Sequence, residues 1–290
     1  TLINVIGVKS AARTGVALVI GKLLPLALFI VIGLFYIDLD LLRSGELPPL
    51  RNLGEAALLL LFAYAGFENI PAAAGEFKNP RRDVPFALLT MIATVTIIYA
   101  AVQLVAQGTL AGLAQSQTPL ADAAGSFSGE GLALILTVGA TISILGTNSN
   151  TMLFGPRVLY SLAQDGFGPR VLANIHPRFH TPAVAIVTQG VLALALALSG
   201  SFVQLALLSV VARLCAYIGT TLSVLVLQRR YADHPGALKL PGGPLIPLAA
   251  LILSLGLLVS ANVGNLIAAA VALGIGALLY LLRRKPALIP

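Results

Sequence analysis

Charge is scarce in this sequence. Only 10% of the 290 residues are charged and 58% are hydrophobic, whereas about a quarter of the residues in a soluble domain are charged. Residues 84–121 and 131–156 contain no Asp, Glu, Lys or Arg. Because a helix needs roughly 20 predominantly apolar residues to cross a bilayer, these segments predict an all-α integral membrane protein whose surroundings are lipid.

Other absences exclude further classes of protein and site. The single cysteine, Cys215, cannot form an internal disulfide. Apolar and polar residues do not alternate as they do in a membrane β-barrel, and no Ser-His-Asp or Cys-His pattern indicates an enzyme. His176 and His180 lie in a proline-interrupted segment with no cysteine or carboxylate nearby. The sequence therefore predicts no metal site and no cofactor.

Helix breakers divide the apolar sequence into eight predicted helical spans. The breakers are the prolines at 48–49, Pro85, the Ser-Gly pair at 199–200 and the Pro-Gly-Gly-Pro run at 241–244. The predicted spans cover residues 14–36, 54–77, 86–107, 132–163, 183–199, 203–227, 245–260 and 263–282, and the second of them is interrupted. Together they predict a single transmembrane domain over residues 1–290.

Lysines and arginines lie mainly in alternate loops between these spans. One side of the membrane receives fourteen of them: Lys9, Arg13, Lys78, Arg81, Arg82, Arg157, Arg170, Arg178, Arg229, Arg230, Lys239, Arg283, Arg284 and Lys285. The opposite loops hold only Arg43 and Arg51. The positive-inside rule then predicts that both ends of the chain lie in the cytoplasm and that the chain spans the cytoplasmic membrane. Because these residues follow loops and do not form one patch, the net charge of +7 does not indicate a nucleic-acid partner.

Three charged residues lie eight or more residues from either end of a predicted span: Lys22, Glu68 and Arg213. A charge at mid-bilayer is costly, so each is a candidate functional residue that needs a partner. Lys22 is near the cytoplasmic end of its span, and the alternative is that its long side chain reaches the interface. Arg213 is near the middle of its span, which favours pairing between helices. Glu68 is too short to reach the interface easily.

The second span contains a predicted helix break at Ala65-Gly66. Glycine costs about 1 kcal/mol relative to alanine in a helix interior, and Pro71 suits the first turn of a new helix. One half-helix should therefore end near Tyr64 and another should begin near Asn69. Backbone freed at membrane depth is tolerated where it lines a cavity, and broken helices bind substrate in secondary transporters. A proline kink packed against neighbouring helices is the alternative.

Four stretches resemble amino-acid permeases of the amino acid–polyamine–organocation superfamily. "NVIGVKSAARTGVALVIGKLLPL" (residues 4–26) is similar to the family's fifth helix, and "FAYAGFENIPAAAGEFKNPRRDVP" (62–85) to its sixth helix and following loop. "GPRVLYSLAQDGFGPRVLANIHPRFHTP" (155–182) resembles the end of the eighth helix with its cytoplasmic loop. "RRYADHPGALKLPGGPLIPLAALILSL" (229–255) resembles the loop into the eleventh. The resemblance covers essentially the whole chain.

This resemblance implies a fold and a function. The fold would be leucine-transporter-like, with two inverted five-helix repeats and two further helices, and this chain would correspond to family helices five to twelve. The function would be secondary active transport of amino acids or related amines by alternating access, with proton symport or exchange. The family's carboxylate-binding break, in its first helix, would lie outside this chain, in a longer parent protein or in the other product of a split gene. A non-transporting receptor-like or scaffold protein with the permease fold is the alternative.

The resemblance also implies a substrate site. In the family, carbonyls freed at the broken sixth helix accept hydrogen bonds from the α-ammonium group of the substrate. The matching positions are Phe62, Ala63 and Ala65, with Gly66 allowing close approach. Phe62 also matches an aromatic gate over the substrate. Asn150 falls on the substrate face of the family's eighth helix.

Two charged positions are implied to act in gating and coupling. Glu68 matches an acidic residue tied to proton sensing and gating, and Lys22 matches a lysine that stands in for a sodium ion in proton-coupled members. "QSQTPLADAAGSFSGEG" (115–131) is predicted to be an outside loop, either a short helix that acts as an external lid or a plain connector. The sequence leaves open which amino acid or amine is carried, and it leaves the oligomeric state open.

Overall fold

The computed structural model describes residues 8–43, 49–70, 77–231 and 242–281 of the chain. Within these ranges the regular structure is helical and no strand is present, which confirms the predicted all-α fold. The α-helices are α1 (Val8–Gly33), α2 (Leu39–Arg43), α3 (Leu50–Ala63), α4 (Pro80–Thr109), α5 (Pro119–Ser128), α6 (Glu130–Gln164), α7 (Ala183–Ser199), α8 (Phe202–Arg230), α9 (Leu245–Val259) and α10 (Val263–Leu281). Short 3-10 turns cover Leu34–Tyr36, Phe67–Asn69, Leu113–Gln115 and Arg170–Ala173.

Four of the described helices, α4, α6, α8 and α10, are long and apolar enough to cross a membrane. Four shorter apolar helical segments accompany them, at Ile20–Tyr36, Asn52–Ala63, Ala183–Ser199 and Leu245–Val259. Few side chains of the four long helices are buried within the chain. Exposed apolar helix faces of this extent need lipid or further helices to cover them, as expected in a membrane protein.

The start of α4 differs from the sequence prediction. The predicted span begins after Pro85, but the helix begins at Pro80 and contains Pro85. Proline is favoured in a first helical turn because its missing N–H would have no partner there. The backbone N–H of Asn79 donates to the Asp83 carboxylate at 3.2 Å, and this hydrogen bond caps the start of the helix. Pro85 therefore costs one hydrogen bond near the helix start and does not prevent the helix.

The chain divides into two compact units. Among the described residues, the first contains 8–43 and 93–193, and the second contains 49–70, 77–92, 194–231 and 242–281. In the first unit, α1 and α5 both pack on α6. Its core consists of Phe29, Val105, Ala106, Ala123, Ala124, Leu132 and Leu136. Gly139 on α6 lies directly against the ring of Pro25 on α1, so a larger residue there would separate these helices.

In the second unit, α3, α9 and α10 all pack on α8. Leu58 of α3 is buried against Val210 and Leu214 of α8, and residues from the end of α9 complete this cluster. A capping box begins α8, in which Ser201 and Gln204 each accept the other's backbone N–H. This packing fixes the end of α3 against the middle of α8, where the candidate site lies.

Candidate functional site at a helix break

α3 ends at Ala63, close to the predicted helix break. The N–H of Tyr64 still donates to the Leu60 carbonyl at 3.1 Å, but the N–H of Ala65 donates to the Phe62 carbonyl at 3.1 Å. The hydrogen bonding therefore tightens from four residues to three and then leaves the α-helical pattern. A second half-helix, predicted to begin near residue 69, falls largely on residues 71–76, which lie outside the described residues.

Gly66 makes the turn out of the helix. Its φ is 125°, a conformation that glycine adopts readily and other residues do not. One turn of 3-10 helix, Phe67–Asn69, follows it directly. The glycine that the sequence singles out is thus the point at which the backbone leaves the direction of α3. We call residues 64–66 the helix break.

Glu68 ties the helix break to α8. One carboxylate oxygen, Oε2, accepts the backbone N–H of Gly66 at 2.8 Å. The other, Oε1, pairs with the guanidinium of Arg213. The sequence predicts that Arg213 pairs between helices, and the structure confirms this and identifies Glu68 as the partner. The side chains of Glu68 and Arg213 are 27% and 32% exposed, although the Glu68 Oε1 atom that meets the guanidinium is itself buried.

Sequence reasoning missed two polar residues on the same face of α8. The Arg213 guanidinium Nε donates to the Ser209 hydroxyl at 3.4 Å. Tyr217 packs its ring against Phe67, with 5.7 Å between ring centroids. The Tyr217 hydroxyl is buried and has no hydrogen-bond partner within the described residues. The signal was available, because residues four apart share a helix face and both are four residues from Arg213.

The predicted substrate residues of this unit lie together at the end of α3. Phe62 is partly buried and makes an edge contact with Phe202 at the start of α8, with centroids 5.7 Å apart and an interplanar angle of 83°. Ala63 is exposed and Ala65 is partly exposed. A helix C-terminus carries a partial negative charge. This end of α3 can therefore attract a cationic group such as an ammonium.

Lys22 and Asn150 lie in the first unit. Lys22, on α1, is partly buried at a cavity of about 400 Å³, whose walls include Pro25 of the same helix and Leu136 of α6. No hydrogen-bond or ion-pair partner of its amine is found in the part of the chain that the structure describes. Asn150 is exposed on α6. Within the described residues, the chemistry available at Lys22 is that of an amine without a partner beside a mostly apolar space.

Comparison with known proteins identifies the family. Residues 1–278 match the family described as amino acid permease. The branched-chain amino acid permease BcaP of Bacillus subtilis is 31% identical over 97% of this chain and 61% of its own length. The serine/threonine exchanger SteT of the same organism is 31% identical over 86% of this chain and 58% of its own length. The methylthioribose transporter of B. subtilis is 27% identical over 83% of this chain and 53% of its own length.

These matches cover nearly all of the chain, but the chain spans less than two thirds of the length of each relative. The family matches, the apolar helices of membrane length and the ion pair beside the helix break agree with one another. The chain is a multi-pass membrane protein and belongs to the amino acid permease family.

Proposed function

We propose that the protein is a secondary transporter that moves amino acids across the cytoplasmic membrane by alternating access, with proton symport or substrate exchange. The observation that carries this proposal is the helix break, held by the Glu68–Arg213 ion pair inside a unit of apolar helices. Irregular backbone and charges are costly in a membrane and occur where they serve a substrate path. The names of the relatives, a permease, an exchanger and a transporter, support the proposal.

In this proposal the end of α3 binds the α-ammonium group of the substrate. The carbonyls of Phe62, Ala63 and Ala65 accept its hydrogen bonds, and the dipole of α3 favours its positive charge. Gly66 has no side chain, and apart from its chain neighbours no described residue has an atom within 4 Å of the position that a Cβ would take, so the substrate can come close to the backbone. Phe62 covers the substrate as a gate.

Glu68 and Lys22 serve gating and coupling in this proposal. Glu68 holds the Gly66 N–H and Arg213, so loss of its charge would weaken both interactions and free the helix break to move. Glu68→Gln should therefore change the pH profile of uptake, and an identical profile would contradict the gating role. Lys22 binds and releases the coupling proton during the cycle. Residues 1–290 form one transporter domain with both chain ends in the cytoplasm.

Uptake of radiolabelled amino acids tests this function. The protein expressed from the complete gene is reconstituted in proteoliposomes and screened with single amino acids and amines. We expect saturable uptake that is driven by an inward proton gradient or by substrate loaded inside the vesicles. Liposomes without protein are the control. Binding without flux would favour a receptor-like or scaffold protein. The absence of both binding and flux would overturn the proposal.

A further inference from the structure

We propose that Arg213 determines the charge class of the substrate. By pairing with Glu68, it makes the protein select zwitterionic amino acids over cationic amino acids and polyamines. This inference rests on the proposed transport function and adds the substrate class to it.

Glu68 places a carboxylate beside the helix break. Glu68 is the acidic residue that contacts the break, through the Gly66 N–H at 2.8 Å. The end of α3 already offers a partial negative charge, which suits the single ammonium of any amino acid. A free carboxylate at Glu68 would add a full negative charge in the same place. The region would then suit a substrate that carries a second positive charge.

Arg213 compensates this added charge. Its guanidinium contacts the Glu68 carboxylate directly, and it is held from its own helix by Ser209. An arginine stays protonated throughout the physiological pH range, so the compensation is permanent. Charges interact more strongly in the low dielectric of a membrane protein than in water. A second cation near the pair would therefore meet a neutral dipole with an adjoining guanidinium.

The ion pair lies close enough to the surface to influence which charge a bound substrate can carry. Neither side chain is fully buried, with 27% of Glu68 and 32% of Arg213 exposed. Tyr217, one turn along α8, presents a buried hydroxyl that has no partner among the described residues. Among the described residues, the ion pair together with Ser209 and Tyr217 thus offers polar groups without a net charge. This combination fits a substrate whose side chain is neutral.

The test compares competition by neutral and cationic compounds. Proteoliposomes containing the protein from the complete gene take up a radiolabelled neutral amino acid identified by the uptake screen. Unlabelled leucine and serine represent neutral competitors, and arginine, lysine and putrescine represent cationic ones. We expect the unaltered protein to be inhibited by the neutral compounds only. In Arg213→Gln, the inhibition constant for arginine should fall by about tenfold or more relative to that for leucine. A tenfold change corresponds to about 1.4 kcal/mol of binding free energy.

Three further variants separate charge from structure. Arg213→Lys keeps the positive charge and should keep the neutral preference. The double variant Glu68→Gln/Arg213→Gln has neither charge and should regain the neutral preference. Glu68→Gln alone leaves Arg213 unpaired and should make glutamate a better competitor. This variant and the unaltered protein decide the question even where Arg213→Gln fails to fold.

Other results would overturn either the inference about Arg213 or the proposed transport function. Transport that arginine and leucine inhibit equally in the unaltered protein overturns the inference and leaves the transport function standing. Folded Arg213→Gln with no gain for arginine also overturns it, as does folded Glu68→Gln with no gain for glutamate. Absence of uptake and binding for every amino acid overturns the proposed function, and the inference falls with it.

Discussion

At the scale of the residue, Gly66 shows how one position sets the path of the backbone. Its φ is 125°, and apart from its chain neighbours no described residue has an atom within 4 Å of the place where a Cβ would stand. Among the described residues a side chain there meets open space, so the expected cost is one of backbone conformation. Non-glycine residues pay about 1–3 kcal/mol in such regions.

We predict that Gly66→Ala lowers the free energy of unfolding by about 1–3 kcal/mol for this reason. Chemical denaturation of the purified protein in detergent measures the change. Gly219→Ala on α8 is the matched control, because Gly219 also has open space around it but no positive φ. That control should be neutral or stabilising by up to about 1 kcal/mol, the helix preference of alanine. Equal effects of the two substitutions would contradict the argument.

Lys22 is the second residue whose role can be isolated. Lys22→Ala should abolish uptake driven by a proton gradient, because it removes the amine proposed to carry the proton. Binding of the substrate, measured by scintillation proximity, should persist. Lys78→Ala is the control, since Lys78 is an exposed lysine in the loop before α4, and it should retain uptake. Unchanged gradient-driven uptake in Lys22→Ala would exclude the coupling role.

At the scale of the element, the segment 115–131 contains a short helix. This helix, α5 (Pro119–Ser128), packs on α6. Its first turn is closed by Asp122, whose carboxylate accepts the hydroxyls of Ser116 and Thr118, the latter at 2.9 Å. These hydrogen bonds, that of Ser116 first, hold the pKa of Asp122 below its usual value of 3.8. Whether α5 closes over a substrate as a lid stays a prediction.

The lowered pKa of Asp122 gives α5 a defined pH dependence. Since the folded state favours the charged carboxylate, this contribution is present above a pH of about 3.8 and is lost as the pH falls through the lowered pKa. Hydrogen exchange of α5 amides should therefore accelerate, after correction for intrinsic rates, in strong acid. Asp122→Asn should show the faster exchange at all pH values. Glu130→Gln, at the start of α6, is the control, and loss of the acid effect in that variant would contradict the assignment.

At the scale of the whole molecule, the distribution of lysine and arginine predicts the orientation of the chain. Gln117, before α5, and Asn174, in the loop after α6, are both exposed and lie in loops predicted to be on opposite sides of the membrane. In a Cys215→Ser background, an impermeant maleimide should label Gln117→Cys in intact cells and Asn174→Cys only after permeabilisation. The reverse pattern would place both chain ends outside.

The helices and the break could be predicted because their causes are local. Apolar runs bounded by glycine and proline define α6 to α10 to within a few residues. The helix break was predictable because Gly66 is unfavourable in a helix interior and Pro71 suits the first turn of a new helix. The early start of α4 was not, because a proline in a sequence signals a break without showing whether the preceding residues already form a helical turn.

The sequence by itself determined that this is an all-α membrane protein with a helix interrupted at Gly66 and charges at Lys22, Glu68 and Arg213. These properties depend on composition and on neighbours along the chain. Only the tertiary structure decided which charges meet. Glu68 and Arg213 are far apart in sequence, and the packing of α3 on α8 brings them together while Lys22 receives no partner among the described residues. A charge in an apolar sequence predicts a compensating partner. The packing of the helices decides which helix carries that partner.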